Sequence, residues 1–344
     1  MPTPAPPPPP PAGYEVHEWG LLGVDALPGA PAGPVTLAAV PWRPASPFGT
    51  IRGGGVFGSG TGHGVGLGKP VLYVHLDDGT EEVTFTARVT LPRAAVIAEH
   101  WPLRTLDAPG TVTWSGVRAH RGACGARTYP ALTDPPCAGR DGCESAELAT
   151  YETADGACLT TQGDFDHLFY RGELATYAAP LELSRGAAGA IIARNPTSEM
   201  IGPFVVRVTV RSGRLSVLVS DAVGEGGEVS IPSPTAAPIP ASALRGAPAR
   251  AAGIQALEAG LSGIGLTQPE IDAFGRAWWD EIFSTTAPQH GAGRSGYVGA
   301  ARPYVVRDEL IYWVPQGLAD RAAVLHFEPR PRAVRRALLV RQAL

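Results

Sequence analysis

His17 and His75 are the residues of this chain best suited to chemistry, because each sits on a strand-like stretch beside a potential partner. In Tyr14-Glu-Val-His-Glu-Trp-Gly20 the alternation puts His17, Trp19 and Leu21 on one side of an extended segment, with Val16 and Glu18 on the other. Asp78-Gly79 is a strong hairpin signal, since Gly accepts the positive φ of a tight primed turn. A hairpin over residues 70–91 would set Leu72 against Phe85 and Val74 against Val83 toward the core. Tyr73 then faces Thr84 and His75 faces Glu82 on the other side. If these strands are neighbours, His17, His75 and Glu82 offer two imidazoles and a carboxylate, the donor set of a divalent-metal site with an open position. The competing assignment, which the residues alone favour, packs His17 on Trp19 and pairs His75 with Glu82.

Other groups have simpler uses. Asp164, Asp166 and His167 could take up a cation, but at a loop-to-strand entry these types more often serve as turn and solvated residues. Tyr170 and Arg171 point to opposite strand faces, and a guanidinium there suits a carboxylate or phosphate as well as a strand-edge acceptor. His17, Glu18, Trp19, Tyr170 and Arg171 are therefore the candidate ligand-binding residues. Catalytic residues stay unassigned. His17-Glu18 is followed by Trp-Gly-Leu-Leu rather than by the second histidine of H-E-x-x-H, and Gly293-Arg-Ser-Gly296 misses the nucleophile elbow. Gly53, Gly55 and Gly58 spell G-x-G-x-x-G without a strand before and a helix after, so no dinucleotide site follows. Gly68-Lys69 runs into Pro70 and lacks the upstream Gly of a phosphate loop. The glycine tract from Gly53 to Gly68 reads as a flexible surface loop.

The clearest structural element is a hairpin: residues 204–210 and 215–220 are apolar-alternating runs around Ser212-Gly213. Its turn predicts Arg211 opposite Arg214, Val210 opposite Leu215, Val208 opposite Val217 and Val206 opposite Val219. Thr209 with Ser216 and Val205 with Ser220 fall on the second face, so the reading is an antiparallel sheet with one buried face. Further short strands are expected at 96–101, 111–117, 165–174, 181–184, 190–194 and 227–231, with Trp101 and Trp114 as core anchors. A Pro/Ala stretch at 232–248 precedes a helix over 249–261. A second helix starts at Thr267, with Glu270 completing a capping box. Its Ile271, Phe274, Trp278 and Ile282 recur at core spacing, and Glu270, Asp272, Arg276 and Glu281 make the wet face. Strands at 310–314 and 323–327 follow, and 333–342 reads as a strand or a short helix.

With 344 residues, 44% hydrophobic and 17% charged, the chain is long enough to bury a sizeable core. Its formal net charge of −4 gives no field for nucleic acid or anionic membrane. Lys69 is the single lysine beside 28 basic residues in all, a bias of coding composition. No apolar run reaches the roughly 20 residues that cross a bilayer. Cys124, Cys137, Cys143 and Cys158 cluster in one loop-rich stretch, residues 118–163, without zinc-knuckle spacing, and predict two disulfides formed in an oxidising compartment. Three pairings remain open. Residues 1–13 are a proline-rich linker with no signal-peptide character, which suggests a leader or anchor preceding Met1.

Val16-His-Glu-Trp-Gly20, Lys69-Pro-Val-Leu-Tyr73, His100-Trp-Pro102, Leu168-Phe-Tyr-Arg-Gly172 and Leu310-Ile-Tyr-Trp-Val-Pro315 after the Trp278 helix occur in that order. In this the chain resembles a group of uncharacterised bacterial secreted proteins, the "HEWG-type" family, over most of residues 14–344. It departs from them at Leu21, where they have Thr. The resemblance implies export and a β-rich body, and supplies no activity or catalytic residue.

These readings combine into a mainly β protein: an antiparallel β-sandwich-like domain over 14–232, with a C-terminal α+β segment, 233–344, packed on it. The expected function is an extracytoplasmic binding or interaction protein, secreted or periplasmic, with a small molecule, glycan or protein as partner and no nucleic acid. The alternatives are a divalent-metal-dependent hydrolase using the His17/His75 face and a structural cell-envelope protein.

Overall fold

The Ser212-Gly213 hairpin forms in the predicted register: Arg211 pairs with Arg214, Val208 with Val217 and Val205 with Ser220. Both turn residues take positive φ, 51° and 71°, as a two-residue primed turn requires. Its second face is not wet, however. Val205, Thr209 and Ser216 are as buried as Val206 and Val208, because further layers cover the sheet on both sides. The computed structural model describes residues 12–24, 65–125, 148–161, 163–174, 177–235, 243–285 and 307–344. Residues 1–11, the Gly53–Gly58 motif, Cys137, Cys143 and Gly293–Gly296 lie outside these.

In chain order the strands are β1 (Ala12–Val24), β2 (Val65–Leu76), β3 (Glu82–Thr90), β4 (Val96–Trp101), β5 (Thr111–His120), β6 (Cys158–Thr160), β7 (Asp164–Phe165) and β8 (Leu168–Leu174). They continue as β9 (Glu182–Arg185), β10 (Ile191–Arg194), β11 (Ile201–Arg211), β12 (Arg214–Val223), β13 (Glu228–Ile231), β14 (Leu244–Arg245), β15 (Arg307–Val314), β16 (Val324–Glu328) and β17 (Pro331–Ala343). The helices are α1 (Gly246–Ile264), α2 (Gln268–Phe283) and α3 (Gln316–Ala322). Among the described residues these form three sheets, in the orders β14-β12-β11-β15-β17-β1-β2-β8-β4, β16-β3-β5-β6-β7 and β13-β10-β9. The protein is mainly β with a C-terminal α+β segment, as expected, and its large sheet is mixed: β1 and β17 run parallel.

The C-terminal segment does not lie on a completed N-terminal domain. Its strands β15 and β17 are inserted between β11 and β1, so the expected boundary near residue 232 cuts through one sheet. The stretch 333–342 is therefore strand, buried over Ala337–Gln342 by neighbours on both sides. A second correction concerns the 70–91 hairpin. The turn exists, with Thr80 N–H donating to Asp77 O at 3.0 Å and Gly79 at φ 81°. Its two arms part after it: β2 pairs with β1 and β8, while β3 pairs with β5 and β16. A turn signal dictates a reversal, but each arm found better partners in a different sheet.

Helix α2 keeps its predicted cap. The Thr267 hydroxyl accepts from Glu270 N–H and the Glu270 carboxylate accepts from Thr267 N–H at 2.8 Å. Ile271, Phe274, Trp278 and Ile282 are all buried. Phe274 meets Trp19 of β1 and Trp313 of β15 edge-on or tilted, with centroids 5.4 Å away in each case. Helix α1 lies close to the same face because it carries Gly260 there. A Cβ at that position would come within 2.2 Å of the Trp313 ring, whose Nε1–H donates to Leu257 O.

Among the described residues one disulfide, Cys124–Cys158, joins the chain just after β5 to β6, across 34 residues. On the chain-entropy model a loop of that length stabilises by about 4 kcal/mol. Reduction should lower the urea-unfolding free energy by that order, and an unchanged midpoint would contradict it. Trp278→Ala should destabilise by about 3–5 kcal/mol as a lost core aromatic. Thr267→Ala should cost about 1 kcal/mol as a lost cap. Equal small effects in denaturant titrations would show that α2 is peripheral.

Candidate functional site

The chemistry predicted for one histidine face is assembled around a residue assigned to the wet side of a helix. Glu270 is fully buried. Capping already aims its side chain back over the first turn of α2, and the docking of Phe274 on Trp19 brings that turn over β1 and β2. Glu270 Oε2 lies 2.9 Å from His17 Nδ1, and its Oε1 lies 2.8 Å from His75 Nε2. The two imidazoles sit 4.3 Å apart, centroid to centroid. On the far side of His17, Nε2 is 3.2 Å from Glu15 Oε1, and Glu15 is held in turn by Arg332 at 3.0 Å. His17 is buried, while the side chain of His75 retains 16% exposure and marks the open edge of the cluster.

Strand register explains the convergence. Glu15 is the cross-strand partner of His75, and His17 that of Tyr73, so Glu15, His17 and His75 project from one face of the β1–β2 pair. Burial alone would raise the pKa of Glu270, but the hydrogen bonds and charges of His17 and His75 outweigh it and bring the carboxyl down to about 2. For His75, burial works against the imidazolium. Its hydrogen bond to Glu270 and the charges of Glu270, Asp155 and Glu15 prevail and raise its pKa. Glu15 follows the same pattern: burial pushes it up, and His17, Arg335 and Arg332 bring it below the ordinary carboxylate value.

The other predicted residues are distributed as follows. Glu82 is no partner of His75; it lies on β3, exposed, and forms an ion pair with Arg118 at 3.0 Å. The pairing failed with the hairpin that implied it. Trp19 shares the His17 face and serves as the aromatic platform for α2. Glu18 points the opposite way and accepts hydrogen bonds from Tyr170 Oη at 2.7 Å and Arg336 Nε at 2.5 Å. Arg336 also binds Asp320 and Ala323 O. That buried network ties β1, β8, β17 and α3 together. Arg171 is buried with its guanidinium 5.8 Å from the Phe169 ring centre. The five candidate ligand residues are thus divided between two faces of the sheet.

Asp164, Asp166 and His167 form no open cluster. Asp166 accepts from Thr153 N–H and contacts His167 Nδ1 at 2.8 Å, while Asp164 accepts from Thr160 and from Gly125 N–H. Glu270 was the residue that sequence reasoning missed. Its signal was present in the capping box, which turns the carboxylate away from solvent and toward the helix start.

No family model matches the chain, and no curated protein does. Among solved structures it is similar to the Fcho1 mu homology domain of Danio rerio with bound Eps15 peptide, at 7% identity and TM-score 0.33. It is also similar to the yeast delta-COP-I mu-homology domain complexed with Dsl1 WxWxV peptide, at 8% identity and TM-score 0.32. Each alignment covers 97% of both chains. Likeness at this level carries no argument about function.

The two pKa shifts set a pH window. Glu270 is depressed, so its contribution is present above its unfolded value near 4.5 and is lost as pH falls toward about 2. His75 is raised, so its contribution is full below its unfolded value near 6.5 and fades as pH climbs through the folded one. The stability difference between the native protein and Glu270→Gln should therefore be largest between about pH 4.5 and 6.5. Urea midpoints across pH would check this, and a difference independent of pH would refute the charged cluster.

Proposed function

We propose that this protein is an exported binding protein whose ligand site is the cluster of His17, His75 and Glu270. One observation carries the reading: three ionisable side chains from segments far apart in sequence, two buried and the third half-buried, converge beside a partly open edge. Burying such groups is neutral at best for stability, since desolvation offsets their attraction and apolar residues of similar size would serve the fold as well. Perturbed titratable groups gathered in one place are the usual mark of a functional site. Export is supported by the Cys124–Cys158 disulfide, because such bonds persist in oxidising compartments.

The test is a comparison of two replacements. Glu270→Gln alone leaves the buried histidines without their carboxylate and should destabilise by about 3–5 kcal/mol. The triple variant His17→Leu/His75→Leu/Glu270→Met removes the cluster whole, and Glu15 keeps Arg332 and Arg335 as partners. It should unfold within about 1 kcal/mol of the native protein, the value of the lost cap. A loss of several kcal/mol in the triple variant would mean that the cluster serves the fold and would overturn the reading.

A further inference from the structure

We infer that the ligand of this cluster is a divalent transition-metal ion of the zinc class, bound by His17 Nδ1, His75 Nε2 and the Glu270 carboxylate. The inference rests on the binding reading above and names its ligand.

One ligand atom from each of the three residues lies within 4.8 Å of the others. His17 Nδ1 and His75 Nε2 lie 3.1 and 2.8 Å from the same oxygen, Glu270 Oε1, at hydrogen-bond distances. Tetrahedral ligands on bonds of 2.0–2.1 Å sit about 3.3 Å apart, so an opening of a few tenths of an ångström admits the ion. Metal binding needs a free imidazole lone pair on each histidine and an ionised carboxylate, so the ion takes the place of the protons that these contacts share.

The surroundings match such a centre. Glu15, acceptor-only and fixed by Arg332 and Arg335, faces His17 Nε2. It therefore holds the proton on Nε2 and leaves the Nδ1 lone pair directed at the site, the carboxylate–histidine–metal arrangement. Thr267 N–H donates to Glu270 Oε2 and leaves Oε1 for the ion. The set of two imidazoles and one carboxylate selects zinc-like ions over calcium or magnesium, which prefer all-oxygen sites. With three protein ligands the fourth position lies toward the exposed edge of His75, where a water or an exogenous donor completes the shell. Neither the Glu18–Tyr170–Arg336 network nor the Asp166–His167 contact offers this combination, since the first contains no histidine and the second a single one.

The experiment is titration of the chelator-stripped full chain with Zn²⁺, followed by Co²⁺ substitution for its visible spectrum. One equivalent should bind, and His75→Ala, a change at the partly exposed edge of the cluster, should weaken binding by roughly 100-fold. Histidine NMR should show His17 ligating through Nδ1. Absence of stoichiometric Zn²⁺ uptake by the native chain would overturn the inference, as would equal affinity in His75→Ala. If the triple apolar variant is as stable as the native protein but the native chain takes up no metal, the metal inference fails while the binding reading stands. If the triple variant is severely destabilised, the binding reading itself has failed.

Discussion

A parallel pair of strands, β1 and β17, lies inside the nine-stranded sheet, and the ionisable groups buried on it must be neutralised where they stand. Glu18 and Arg336 are register partners across that pair and meet at 2.5 Å. A buried carboxylate or guanidinium left alone there would carry a penalty of several kcal/mol. Tyr170, Asp320 and the Ala323 carbonyl complete the shell around them. Because these partners come from β8, α3 and the approach to β16, neutralising one strand face also determines where the chain's last third must return.

The opposite face of β1 poses the same problem and solves it differently. His17 is held between Glu15 on its own strand and Glu270 on α2. Glu270 has two duties in one geometry, as cap of its helix and as common partner of two histidines. The aromatic contacts of Phe274 with Trp19 and Trp313 hold the helix where both duties can be met.

These two networks differ in what they leave open. Around Glu18 each oxygen meets a strong donor, and Glu18, Tyr170 and Arg336 are all buried. Around Glu270 two of the partners are imidazoles, which can ligate as well as donate, and the His75 side reaches solvent. Enclosed, permanently charged groups make a clasp, whereas exchangeable protons beside an opening make a place for a ligand.

Local signals in the sequence determined what local forces control. The register at Ser212-Gly213, the capping box at Thr267 and Glu270, the buried stripe of α2 and the division of His17 and Glu18 between strand faces all follow from turn chemistry and from periods of 2 and 3.6. Nothing local could say which strand lies beside which. Asp78-Gly79 turned the chain as it should, but whether its arms pair with each other depends on the competing edges of β1, β5, β8 and β16. Hence Glu82 was a reasonable partner for His75 in sequence and is the wrong one in space. Likewise the helical period placed Glu270 on the outer face, because periodicity measures a helix against one layer, and α2 packs its first turn against a strand pair that carries its own histidines. Long-range strand pairing is decided by which edges remain unsatisfied once all elements are present, and that is a property of the tertiary structure alone.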